Sequence, residues 1–80
     1  MDKKDAFYAM RRLKQMYPSA YIGSSKIEWK IRAAVWRSNF ENVPVQLVMD
    51  ALEGWKNNHP EDGPPLVHQI AAMVLAVGDS

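Results

Sequence analysis

Apolar residues recur at helical spacing in four stretches of this chain, each closed by a proline, a glycine or a run of turn-forming residues. The first runs from Asp2 or Asp5 to Met16. Its Ala6, Ala9, Met10, Leu13 and Tyr17 fall on one side at about 100° per residue, opposite Lys4, Arg11, Arg12 and Gln15. Acidic residues at its start and basic ones near its end suit the helix dipole. Pro18 disfavours helical backbone at Tyr17 and ends the element, leaving 18–24 as a loop with Tyr21 and Ile22 tacked onto the core.

The second stretch opens at Ser25, with Glu28 at capping-box spacing. Ile27, Ile31, Ala34 and Val35 share one face; Trp29, Ala33, Trp36 and Phe40 share the opposite one. A basic strip of Lys26, Lys30 and Arg37 runs between them. Two opposed apolar faces predict a helix sandwiched between others, at the centre of the domain. In the third stretch Asn42 suits an N-cap and Pro44 a first turn, and Val45, Val48, Met49, Leu52 and Trp55 form the stripe. Residues 57–63 are turn chemistry throughout and predict a surface loop. The fourth helix opens at Pro64-Pro65 and continues to about Val77, where Gly78 stops it.

No residue of 66–77 carries a formal charge at neutral pH. Such a helix either packs wholly in the core or turns a face to a partner or a second copy, so Val67 and Val74 are candidate partner contacts and a homodimer is one expectation. Together the elements predict an all-α fold, a compact bundle of about four short helices with helix two central, as a single domain over 1–80.

Composition bounds the rest. An apolar fraction of 48% with 24% charged residues belongs to a folded chain, not a disordered one. The absence of cysteine excludes disulfides and thiolate metal sites, and suits a cytoplasmic location. No uncharged run reaches the roughly 18–20 apolar residues of a membrane span, so no membrane association is expected. The net charge of +1 conceals a division. Residues 1–40 carry nine Lys/Arg against three Asp/Glu, and 41–80 carry one against six. Either the halves attract one another in the fold and are otherwise solvated, or the basic half faces nucleic acid or an acidic protein. On the second reading Arg11, Arg12, Lys14, Lys26, Lys30 and Arg37 are the candidate contacts.

Catalytic chemistry has no visible carrier. His59 and His68 are nine residues apart in a loop and a helix, which is not ligand spacing. The serines fall in loop or cap positions, the four glycines are scattered, and Glu61-Asp62 belongs to the surface loop. The chain therefore reads as a non-enzyme without metal or cofactor. Trp29, Trp36 and Phe40 could stack bases, but their spacing on one helical face predicts core.

The ordered landmarks resemble a family. They are a first helix ending in Tyr17-Pro18, the loop residues Tyr21-Ile22, Trp36 with Phe40 four residues on, the run from Val45 to Trp55, and Pro64-Pro65-Leu66-Val67-His68-Gln69-Ile70. This pattern, over 6–70, is similar to that of the small phage proteins that load and also inhibit a DnaB-type replicative helicase. The resemblance implies a helical N-terminal domain working at phage or prophage replication origins. Such a protein grips the helicase, restrains its ATPase and unwinding, and hands it to an origin-binding protein. In that family a flexible C-terminal tail contributes to helicase contact. Here only Gly78-Asp79-Ser80 follows the last helix, so no contact residue is carried over from the family. Two alternatives remain open, a small DNA-binding helical module and a phage protein inhibiting another host protein.

Overall fold

The computed structural model describes residues 1–78, with side chains through Ala76. It is all-helical: α1 (Lys3–Met16), α2 (Lys26–Asn39), α3 (Val45–Asn58) and α4 (Val67–Gly78), with a single 3-10 turn at Pro18–Tyr21. The residues Asp79 and Ser80 of the short tail lie outside the described residues.

Local chemistry sets most boundaries. Asp2 caps α1 reciprocally: its carboxylate accepts from the Asp5 amide at 2.8 Å, while the Asp2 amide donates to the Asp5 carboxylate at 3.3 Å. The amide hydrogen bond from Asp5 holds the Asp2 carboxyl below its usual pKa. Ser25 caps α2 by accepting from the Glu28 amide at 3.2 Å, but only half of the expected box forms. Glu28 turns instead toward Arg32, 3.8 Å away.

Two starts differ from the sequence expectation. A tight turn, in which the Val43 amide donates to the Phe40 carbonyl at 3.1 Å, takes up Asn42. Pro44 then stands at the N-cap position of α3 with no side-chain cap. The prolines 64 and 65 likewise precede α4, because a residue before proline is biased away from helical backbone. Leu66 opens that helix, its amide donating to the Gln69 side chain at 2.8 Å.

The helices form a closed ring in which each touches two neighbours: α1 packs on α2 and α3, and α4 on α3 and α2. Helix α2 thus lies between α1 and α4. It runs antiparallel to α1, since the Met1 amino group donates to the carbonyls of Phe40, Glu41 and Val43 at 3.0–3.1 Å. The core inside the ring is built from Ala6, Ala9, Met10 and Leu13 of α1, Ala33, Trp36 and Phe40 of the α2 segment, Val48, Met49, Ala51 and Leu52 of α3, and Ile70 and Val74 of α4. Phe40, Leu13, Leu52, Ile70 and Val48 are its largest fully buried side chains.

One expectation about α2 fails. Its Trp36 face is buried, but Ile27, Ile31 and Val35 are 70%, 59% and 43% exposed. The reason is geometric. The molecule measures 39 × 29 × 16 Å, and helices pack about 8–10 Å apart, so its thin dimension holds two layers of helices. In two layers every helix keeps one side in water, and α2 has an apolar residue set for both sides.

Candidate partner-binding surface

The antiparallel pairing of α1 and α2 leaves a groove between them. At one end Lys3, Ala6 and Phe7 face Lys30, Ala34 and Arg37 around a cavity of about 520 Å³. Past Phe7 the surface continues as a second hollow, of about 410 Å³, formed by Met10, Arg11 and Lys14 with Trp29. The floor is aliphatic and aromatic, the edges are cationic, and no carboxylate lines either hollow. Beyond the Lys30 edge stands the exposed ridge of Ile27, Ile31 and Val35.

Charge within the fold is only slightly compensated. Among the described residues the ion pairs are Arg12 with Glu53 at 2.9 Å, tying α1 to α3, and Arg32 with Glu28. Attraction between the basic and acidic halves therefore rests on one exposed pair, worth at most about 1 kcal/mol. Seven of the nine cations in residues 1–40 have no carboxylate partner among the described residues. They include Lys3, Arg11, Lys14, Lys26, Lys30 and Arg37. Lys56, the single cation of the second half, donates to the Met16 carbonyl at 2.8 Å and lies over the Tyr17 ring.

The sequence-predicted residues divide accordingly. Lys30 and Arg37 come together with Lys3 at one end of the groove, and Arg11 lines its other end. Lys26 is exposed in the first turn of α2. Arg12 points the other way, into its pair with Glu53. Of the two valines of α4, Val74 needs correction. Val74 is 7% exposed and belongs to the core, and Val67 is partly buried against it. They face inward because the α3 and α2 neighbours of α4 cover that side. Leu75, 67% exposed, and Leu66 just before the helix are its large outward apolar residues among the described ones. Sequence reasoning missed Lys3 and Phe7, although their spacing from each other and from Lys14, four and seven residues, puts them along one edge of the apolar stripe of α1.

The tryptophans, Tyr17, Tyr21 and Phe40 are engaged inside the molecule, while Phe7 and Tyr8 of α1 are exposed. Trp36 is buried against Phe40, ring centroids 5.7 Å apart. Trp29 packs on Tyr21 at 4.9 Å, and the Arg32 guanidinium lies over both rings at 4.7 and 4.9 Å. Burial raises the Tyr21 phenol pKa, with Arg32 opposing the shift. Trp55 stacks on His59 at 3.9 Å. Burial, and the charge of Asp62 behind it, also raise Tyr17, whose hydroxyl is shielded and without a hydrogen-bond partner.

Chemically, the groove can attract an anionic surface and bury apolar side chains against its floor. Among the described residues there is no cluster of three His, Cys, Asp or Glu that could hold a metal ion, and no helix is long and apolar enough to cross a membrane. Comparison of the chain with protein-family models, curated proteins and solved structures finds no match.

Proposed function

We propose that this chain is a non-catalytic accessory protein of phage or prophage DNA replication, which binds a DnaB-type replicative helicase, restrains it, and helps deliver it to an origin-binding protein. The observation that carries this reading is the α2 surface. An aliphatic ridge stays in water beside a strip of cations that have no carboxylate partner among the described residues. Contiguous exposed apolar surface on a small domain marks a macromolecular contact.

The landmarks of the resemblance support the same reading from another side. Trp36, Phe40, Pro65 and Ile70 are buried and Tyr17-Pro18 closes α1, so these landmarks are scaffold positions, while Ile22 and Leu66 are exposed. The contact surface is then particular to this chain, and it lies on α1 and α2 in addition to the outward Leu75 of α4.

The test is retention of a DnaB-type helicase by the immobilised protein, with and without ATP, at low and high salt, together with helicase ATPase rates. Retention that weakens with salt but survives at high salt, with a lowered ATPase rate, is the expected result. No retention under any condition refutes the proposal. The seven uncompensated cations favour one alternative, direct DNA binding, whose affinity would instead fall steeply with salt.

A further inference from the structure

The groove between α1 and α2 has a definite length, charge and floor. From Lys3 to Lys14 it follows eleven residues of α1, about 16 Å at 1.5 Å per residue, or three turns of a helix laid alongside. Lys3, Lys30 and Arg37 rim one end, Arg11 and Lys14 the other. Phe7, 39% exposed, stands between the two hollows and lines both.

We propose that this groove, with the adjoining ridge of Ile27 and Ile31, docks an acidic amphipathic helix of the partner protein. The inference rests on the reading that the chain acts by gripping a larger protein, and it names the gripping surface and the chemistry of what is gripped. Helix-in-groove recognition needs apolar anchors at helical spacing on one side and complementary charge at the edges. The floor provides the first and the cations the second.

Two other occupants fit less well. A nucleic acid would use the cations, but it would leave the aliphatic ridge without a contact to make. Neither tryptophan is free for base stacking, because Trp29 packs on Tyr21 and Arg32 and Trp36 is buried, which leaves only the α1 rings of Phe7 and Tyr8 exposed near the groove. A second copy meets a charge conflict. A two-fold axis at Ile31 would set Ile27 against the Val35 position of the other copy. It would also turn the strip of Lys26, Lys30 and Arg37 against itself, because antiparallel helices related by such an axis face like edges.

The experiment uses a short fluorescent peptide with leucines at i, i+3, i+4 and i+7 and glutamates flanking them. Controls are an isomer with the same residues scrambled and single-stranded and duplex oligonucleotides. Anisotropy and amide chemical shifts are read on the intact protein. The patterned peptide is expected to shift Phe7, Ile31 and Ala34, and to bind about tenfold more tightly than the scrambled one. The double variant Lys30→Glu, Arg37→Gln should weaken it about tenfold without altering the thermal melt. Equal binding of both peptides, tighter binding of an oligonucleotide at the same residues, or self-association abolished by Ile31→Glu would each overturn the proposal. A helicase held equally by native protein and double variant overturns this inference while leaving the loader reading intact. A peptide seated in the groove with no helicase retained does the reverse.

Discussion

Replacing Ile31 by glutamate separates an uncovered face of α2 from a covered one. Burying an isoleucine completely contributes about 1.5–3 kcal/mol. Ile31 is 59% exposed, so the remaining two-fifths of that contribution, roughly 0.6–1.2 kcal/mol, is what the substitution can remove. The new carboxylate would sit three residues after Glu28, a like-charge spacing that costs about 0.2–0.5 kcal/mol. The better helix propensity of glutamate returns a few tenths. The expected loss is therefore about 1 kcal/mol, which for a domain of this size lowers the melting temperature by about 4–8 °C. Urea unfolding followed by far-UV circular dichroism measures it directly. Were this face packed against another helix, the same substitution would bury an unpaired carboxylate and cost several kcal/mol, a large part of the roughly 5 kcal/mol available. A loss above about 3 kcal/mol, with an unchanged denaturant slope, would refute the argument that α2 is open on its Ile31 side.

Two further outcomes follow from the core and from its shielded phenol. Ile70→Ala should cost about 2–5 kcal/mol in the same urea assay, because Ile70 is fully buried where α4 meets its neighbours. A loss below about 1 kcal/mol would place α4 outside the cooperative unit. Tyr17 carries a phenol pKa raised by burial, so its contribution is fully present below its unfolded value near about 10 and is lost as pH rises through that value toward the folded one. Urea midpoints measured from neutral to strongly alkaline pH should fall on the alkaline side. Tyr17→Phe should flatten much of that fall and keep or raise stability at neutral pH, since the hydroxyl it removes is buried without a partner. An alkaline slope unchanged in the variant would assign the effect elsewhere.

The helices were legible because each carries its own periodicity and its own stops. Pro18, Pro44 and the 57–63 turn chemistry divide the chain where the structure divides it, and Asp2 and Ser25 cap as their side chains allow. The misses lie where local signals compete. Asn42 and Pro44 both suit a helix start, and only the turn made by Phe40 and Val43 decides between them. Glu28 could complete the Ser25 box or approach Arg32, and Arg32 holds it because its guanidinium is itself fixed over Tyr21 and Trp29. Both choices are settled by short-range contacts that compete on nearly equal terms, the 40–43 turn in one case and the i,i+4 approach of Glu28 to Arg32 in the other, and residue type alone does not rank them.

The surface was legible only in fragments, for a related reason. A helical wheel places Lys26, Lys30 and Arg37 on one strip, and the structure keeps them there. Lys3 and Phe7 join that strip only through the antiparallel register of α1 against α2, which no local pattern encodes. For α4 the core and partner readings both stay open in the sequence, because an uncharged helix does not say which of its sides is covered; the ring covers the side of Ile70 and Val74 and leaves Leu75 outward. For α2 the wheel displayed both apolar faces equally, and the ring buried the one with tryptophan and phenylalanine, which offers more area to the core. What remains outside is the smaller, aliphatic face. A chain that keeps three such residues in water has an aggregation liability, and the cations along one edge limit it by repelling like copies. The same arrangement that discourages self-association would admit a partner of opposite charge, and under the proposed reading the ridge and the strip act as one binding surface.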